Sequence, residues 1–565
     1  MRTITQWVPL LLLLLATAAQ ARSHITVNPD CATSTTAPCA PFTVGADGIG
    51  RATVATLPAA FEVLPAADTE RDVITYHCER AVCHEAPFTF NRAQMSQVTL
   101  TRARTIAGQP AGEVIFRRAG ADGTPVDSPD PILVFTEAVS GIELDGFTVD
   151  GLGYEAFKLG LPRFPWTLVS VRAHNTTIKN STIRNGAGGS CLRVDSSVQQ
   201  VRSFRLVDSR IQDCIRWSAP QTVDTHGFHT CTAKNVELTG NTFERNSGDG
   251  VQLENRAACG MNVTYAWRNV TISGNTFRTA PDERLGGLTP GENAIDIKDG
   301  EGGLTIFRNT ISGFRGSRYD NATRSYLGTG TGTGTGSSGE GIVVHASTTR
   351  CNSPNPLKCL VIEENEFTDV PVGISLEVVG HLHVLIARNT FHNLSADAPY
   401  ESNPATRGVG VRVGSVAGLH LIHNTFANTP GLPLYGEWGK SHTDVRMNNN
   451  LFSYAGVGCT LQDSAFRSGY SFCRMTPQES GSWSFCHARL ANDIAFENDS
   501  ASWRPVACGS DAAEKASQAS YRLVSPNPEL LDKAVSSTYS GSQPACAATP
   551  GGTAAYDPGA HEYCP

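Results

Sequence analysis

Beyond its first residues the chain has no apolar run long enough to cross a bilayer, so an integral membrane protein spanning by helices is excluded. It also lacks an excess of positive charge. With 45 Lys and Arg against 53 Asp and Glu, the net charge of −8 gives no electrostatic case for nucleic acid or an anionic lipid surface. An acidic polymer is left open, but only through local basic residues. Charged residues are sparse at 17 %, while the 54 glycines fit a loop-rich β protein rather than a disordered chain. Paired C-x-x-C spacings are missing as well, which disfavours structural zinc.

What is present begins with a leader. Met1 to Ala21 carries Arg2, an apolar run from Val8 to Ala16 and the small-residue exit Ala19-Gln20-Ala21, the pattern of a secretory signal peptide. All 16 cysteines follow it, so disulfides in an oxidising compartment are expected. Cys31/Cys39, Cys78/Cys83 and Cys351/Cys359 would staple loops, and Cys546/Cys564 would tie down the end. Sequons such as Asn180-Ser-Thr and Asn262-Val-Thr matter only in a source that glycosylates. The expected product is a soluble, exported monomer in the secreted or periplasmic space.

The middle of the chain repeats. An apolar residue, a spacer, a second apolar residue and two spacers precede Asn-x-Phe or Asn-x-Ile in VELTGNTF, VTISGNTF, LTIFRNTI, LVIEENEF, VLIARNTF, LHLIHNTF and VRMNNNLF. Asn241, Asn275, Asn309, Asn365, Asn389, Asn424 and Asn450 thereby share one position, at intervals as short as 24 residues. A unit of that length with inserted loops predicts a β-solenoid, in which stacked Asn amides bond from rung to rung. A propeller is excluded, because its blades need about 40 to 50 residues each. We read residues 22–110 as an N-terminal cap with the first strands, 111–455 as the repeat domain and 456–565 as a Cys-rich C-terminal cap. The Gly/Thr tract Gly328 to Gly339 is read as a solvated loop, with a substrate lid as the rival.

A second strand recurs in every repeat, in order SCLRVD, HGFHTC, DGVQLE, NAIDIK, EGIVVH, VGISLE and VGVRVG. Aligned on their alternation, third and fifth residues face the core while fourth and sixth face out. The fourth column is Arg193, His229, Gln252, Asp296, Val343, Ser375, Arg412; the sixth is Asp195, Cys231, Glu254, Lys298, His345, Glu377, Gly414. Lys298 then lies between Glu254 and His345 with Asp296 beside it. A stabilising salt-bridge ladder is the plain explanation, worth about 0.2–1 kcal/mol per pair. The succession of acid, Lys and His favours a functional site instead.

At these residues the chain resembles the right-handed parallel β-helix family of pectate-lyase-like secreted proteins. The Asn-x-Phe turns and the Gly-φ-x-φ strands carry the resemblance from about Val98 to Phe452, and the closing DPGAHEYC is similar to the tail of many bacterial members. It implies an all-β, right-handed parallel β-helix with disulfide-bonded caps. That family holds lyases, hydrolases, epimerases and non-enzymatic surface proteins, so fold alone does not give activity.

Eliminative cleavage of a uronate polymer needs a base for the proton beside the carboxylate and a cation that neutralises that carboxylate. Glu292-Asn293-Ala294-Ile295-Asp296 is similar to the acid-acid-x-x-acid strand of calcium-dependent lyases on this fold, with Asn for one acid. The resemblance implies possible calcium at Asp249, Glu292, Asn293 and Asp296, with Lys298 as base. His345, Arg412 and His229 join it as catalytic candidates, and Gln252, Glu254, Glu377 and Arg193 as substrate contacts. Asp224-Thr225-His226 is similar to part of the mannuronan epimerase motif, although Gln221-Thr222-Val223 stands where its Tyr-Gly should be. Hydrolysis would use two carboxylates from Asp249, Glu254, Asp296 and Glu377. The paired-Asp, Gly-His-Gly and Arg-x-Lys motifs of polygalacturonase-like hydrolases are missing. The expected function is therefore a lyase on an acidic polysaccharide, with hydrolase, epimerase or carbohydrate-binding protein as alternatives.

Overall fold

The computed structural model describes most of residues 22–429 and five short strands beyond them, the last being Ile494–Phe496. The leader 1–21, the tract 327–338, Asn450, Cys351, the Cys546/Cys564 pair and nearly all of the C-terminal cap lie outside the described residues. Three long sheets of 16, 13 and 11 strands, here A, B and C, run the length of the molecule. Each coil contributes one strand to each in turn: Lys234–Thr239 to A, Thr242–Glu244 to B and Val251–Leu253 to C. Successive coils pair in parallel, as Val236 with Val270 and Phe243 with Phe277 do. The chain is a parallel β-helix.

The corner between sheets A and B shows how the repeat dictates the coil. One residue per turn takes a positive φ before the recurring Asn, at Gly240, Gly274, Arg308, Glu364, Arg388 and His423. The Asn behind it is then buried with its amide along the axis. Asn241 Nδ2 donates to Asn275 Oδ1 at 2.9 Å, Asn275 to Asn309 at 3.0 Å, and Asn309 to Asn365 at 2.9 Å. Each Nδ2 also donates to a carbonyl of the preceding coil, so backbone groups that the turn would orphan are satisfied. The ladder extends upstream through serines: Ser181 N–H donates to Ser209 Oγ, and Ser209 N–H to Asn241 Oδ1.

Inside, the Phe two positions after the Asn stacks on its equivalent where adjoining coils both carry one, as in Phe367, Phe391 and Phe426 at 4.7 Å between centroids, while Ile311 takes that place after Asn309. Strand alternation fills the rest with Val, Ile and Leu in one continuous core. The N-terminal end is closed by helix α1 (Leu57–Glu62), capped by Thr56, with Leu57, Ala60 and Phe61 buried. Parallel pairing starts earlier than Val98, because Ser23–Val27 and Asp72–Tyr76 already belong to sheet A. The aperiodic stretch hid them because insertions separate single strands.

The predicted bridges Cys31–Cys39 and Cys78–Cys83 form. Cys191–Cys214 and Cys231–Cys259 form as well, across separations of 23 and 28 residues that no local spacing reveals. Among the described residues no helix is long and apolar enough to cross a membrane.

Candidate functional site

The polar columns lie on sheet C. Its consecutive strands are β1 (Thr167–Val171), β2 (Ser190–Val194), β3 (His226–Thr230), β4 (Val251–Leu253), β5 (Ile295–Ile297), β6 (Glu340–Val344), β7 (Val372–Val379) and β8 (Val409–Val416). The register reproduces the fourth column residue by residue. Arg193 pairs with His229, His229 with Gln252, Gln252 with Asp296, Asp296 with Val343, Val343 with Ser375 and Ser375 with Arg412. No rung is slipped.

The side chains on β4 to β7 form one bonded group. Lys298 Nζ lies 3.0 Å from Glu254 Oε2 and 3.4 Å from Asp296 Oδ2. Gln252 Nε2 donates to Asp296 Oδ2 at 3.3 Å, and His345 Nε2 is 3.2 Å from Asp296 Oδ1. On its other side His345 Nδ1 donates to Glu377 Oε2 at 2.7 Å. Exposure ranks what a ligand can touch: Glu377 at 39 %, His345 at 35 %, Lys298 at 30 % and Arg412 at 21 %, against 4 % for Asp296. The four accessible groups occupy consecutive coils.

Their protonation follows from these contacts. Burial opposes the charge on His345, but the hydrogen bonds to Asp296 and Glu377 outweigh it, and its pKa is pushed up to about 10. Burial likewise opposes the Lys298 ammonium, and the Asp296 and Glu254 carboxylates outweigh it, so Lys298 is held above its ordinary value. Asp296 is kept below the usual carboxylate range despite burial, by His345 and Lys298; Glu377 is lowered by its bond to His345. This departs from the expectation for Lys298. A base needs a free lone pair near neutral pH, and two carboxylates keep this ammonium protonated.

The first residues of the same strands make a second, buried row. His226 Nδ1 accepts from the Asp249 backbone N–H at 3.1 Å. Asn293 Nδ2 donates to Asp249 Oδ1 at 3.0 Å, and Asn293 Oδ1 accepts from the Glu340 N–H at 3.1 Å. Glu340 Oε1 then meets Arg412 Nη1 at 3.5 Å. Glu340 is not among the residues singled out by sequence, although it shares the first column of the aligned strands with Asp249 and Asn293. Burial, and then the charge on Asp296, raise Asp249 above the usual carboxylate range. His226, buried to 4 %, is a structural histidine of the row, not a group a substrate could reach.

This row bears on calcium. Asn293 uses both ends of its amide within the protein, Asp296 is engaged by Lys298, Gln252 and His345, and Asp249 is driven toward its neutral form. Asp249, Glu292 and Asp296 also do not converge as ligands. Among the described residues the group that does is His229, Cys231 and Cys259, whose ligand atoms lie within 4.8 Å of one another. Its two sulfurs are joined as a disulfide. The donor set does not fit calcium.

His229 and Arg193 stand upstream of the bonded group. Burial, with the charges of His226, Arg193 and Lys298 adding to it, holds His229 well below its ordinary value, so it is a neutral imidazole with Nε2 3.6 Å from Cys231 Sγ. Arg193 Nε is 2.9 Å from Asp195 Oδ2, a pair within its own strand end. Neither residue touches the Lys298–His345 centre.

The sequence matches no protein-family model and no curated protein. Solved structures of similar chain path include a polygalacturonase from Erwinia carotovora, 12 % identical, with 79 % of this chain and 99 % of that chain covered at a TM-score of 0.39. A pectate lyase is 12 % identical, with coverages of 97 % and 98 % and a TM-score of 0.34. A surface adhesin of Streptococcus pneumoniae is 13 % identical, with 69 % and 84 % covered and a TM-score of 0.43. These are likenesses of fold, and they span a hydrolase, a lyase and an adhesin; any activity has to be argued from the side chains of this chain.

Proposed function

We propose that the protein is an exported, polysaccharide-active enzyme that cleaves a uronate-containing chain by β-elimination across β5 to β8. The observation that carries the reading is the pair His345 and Glu377, an imidazolium and a carboxylate 2.7 Å apart on the accessible face. Beside them stand two cations, Lys298 and Arg412, placed to receive the carboxylate of the sugar.

Lys298 and Arg412 hold and neutralise the uronate carboxylate, which lowers the cost of the carbanion beside it. Glu377 takes the proton from that carbon. The electron pair forms the double bond as the bond to the glycosidic oxygen breaks, and that oxygen takes the proton of His345. Glu377 then carries the proton that His345 has lost. Their hydrogen bond returns it, so the pair resets without an outside donor. Lys298 thus serves as the carboxylate clamp rather than the base.

Hydrolysis by the Asp296 and Glu377 pair ranks lower because the His345 ring lies between them, 3.2 Å from Asp296 and hydrogen-bonded to Glu377, where an inverting hydrolase needs a water. The test is to present purified protein with pectate, alginate and glycosaminoglycans. Unsaturated ends absorbing in the ultraviolet support elimination. Reducing ends without that absorbance would mean a hydrolase, inversion of uronate configuration without scission an epimerase, and binding without turnover a carbohydrate-binding protein.

A further inference from the structure

The connection that leads into β1 carries helix α2 (Gly153–Lys158), and it builds an aromatic patch at the corner where this coil enters sheet C. Tyr154 and Phe157 pack on Trp217, with centroids 4.8 and 5.8 Å apart, and Phe164 and Leu285 complete the cluster around Ala187 and Ile215. Arg284 stands 5.7 Å from the Trp217 ring, and Lys158 Nζ 5.2 Å from Tyr154. Beyond this small core three large apolar side chains remain open to solvent: Phe157 at 37 %, Leu159 at 59 % and Trp166 at 38 %.

Trp166 is the informative one. Its carbonyl accepts from the Gly189 and Ser190 N–H groups at 2.8 and 3.1 Å, which fixes it at the leading edge of β1 against that of β2. Its indole lies against Gly189 so closely that a Cβ there would come within 2.6 Å of Cε2 and 2.7 Å of Cζ2. Gly188 is held as tightly, since its Cβ would meet the Pro165 carbonyl oxygen at 2.1 Å. Two glycines therefore let an indole rest on the backbone of the next coil while much of it stays in solvent. A core aromatic would be covered, and an incidental surface tryptophan would not need glycines beneath it.

We infer that Trp166, supported by Gly188 and Gly189, is a stacking platform for a sugar residue of the same polysaccharide, remote from the bond that is cleaved. The ring faces of a sugar are apolar and its edges polar, which matches an exposed indole held by the backbone of the next coil. Position supplies the occupant. Trp166 leads into β1, four strands before β5 on the same sheet, or roughly 19 Å at the parallel-strand spacing. A polymer laid along sheet C from Lys298 toward the N-terminal end passes this edge several sugar units away. The inference rests on the ladder being the reacting centre of a polysaccharide, and the test separates the two.

Wild type, Trp166→Ala and Trp166→Phe are compared in native gels cast with polygalacturonate or alginate and in kinetics on polymer and on short oligomers. Retardation of the wild type should be lost in Trp166→Ala and largely kept in Trp166→Phe. For the polymer, KM should rise about tenfold in Trp166→Ala with kcat unchanged, while short oligomers that cannot reach the platform show no difference. Equal thermal midpoints establish that the variants are folded. If the wild type cleaves nothing but its retardation still depends on Trp166, the elimination reading fails and the platform stands. Wild-type mobility unaffected by any polymer, or equal mobility and equal KM in Trp166→Ala, overturns the platform. Self-association that Trp166→Ala abolishes, with gel mobility unaltered, would assign the patch to a second copy of the chain instead and overturn it too.

Discussion

The imidazole of His345 and the carboxylate of Glu377 stand 2.7 Å apart on adjacent coils, in the most accessible part of an otherwise buried polar row. The pair makes a pH prediction with a definite sign. His345 is raised from 6.5 to about 10, so the stability it contributes is fully present below its unfolded value and is lost as pH rises through about 10. The thermal midpoint of His345→Gln should lie below that of the wild type near neutral pH, and the gap should close above about pH 10. Activity should fall over the same range as the proton for the leaving oxygen is lost. A gap that stays constant with pH would contradict the charged imidazolium.

Lys298 gives a second prediction, and it separates clamp from base. Lys298→Ala removes the partner of Glu254 and leaves Asp296 with only His345 and Gln252. We expect a loss of at least about 100-fold in kcat/KM and about 1–3 kcal/mol in stability by denaturant titration. Lys298→Arg keeps the charge and should recover much of the stability. If Lys298 were the base, its raised pKa would make the rate climb with pH past 10; as a clamp it stays charged there, and the rate falls as His345 loses its proton.

The accuracy of the column alignment has a physical cause. Side chains alternate with a period of two, and the Asn-x-Phe anchor restarts the count in every coil, so a one-residue slip would turn Ile295 and Ile297 outward and Asp296 into the core. The columns were legible for that reason. Their bonding was not: Lys298 sits beside acid in the sequence alignment whether it is clamp or base, and its two short contacts are visible only in the structure. Glu340 and Arg412 stand in the aligned columns and only their contact is new, whereas the Cys191–Cys214 and Cys231–Cys259 bridges and the indole of Trp166 depend on insertions that carry no period.

The Asn ladder predicts where the fold is brittle. Asn309 accepts from Asn275 through N–H and Nδ2, and donates to the Ile272 and Phe307 carbonyls and to Asn365 Oδ1. Asn309→Ala orphans several buried groups at once, and a loss of about 3 kcal/mol is expected from urea unfolding. Asn309→Ser should cost less, because Ser209 already fills an equivalent corner, accepting from Ser181 N–H and donating to the Val207 carbonyl. Equal destabilisation by Ala and Ser would show that the ladder's bonds are not what stabilises the corner.

Chelation supplies the last prediction. A calcium ion at Asp249, Asn293 and Asp296 would have to take Asn293 Oδ1 from the Glu340 N–H and Asp296 from the Lys298 ammonium, and to ionise Asp249 in a buried setting beside Asp296. Each change costs a bond or a desolvated charge, and calcium prefers six to eight oxygens that are free to turn toward it. Exhaustive treatment with a chelator should therefore leave both the cleavage rate and the thermal midpoint unchanged. Asp249→Asn, which preserves the acceptor for Asn293 Nδ2 without the charge, should keep most of the activity. A rate that falls on chelation and returns with calcium, with one ion recovered per chain by atomic emission, would overturn this and restore the metal to the centre of the mechanism.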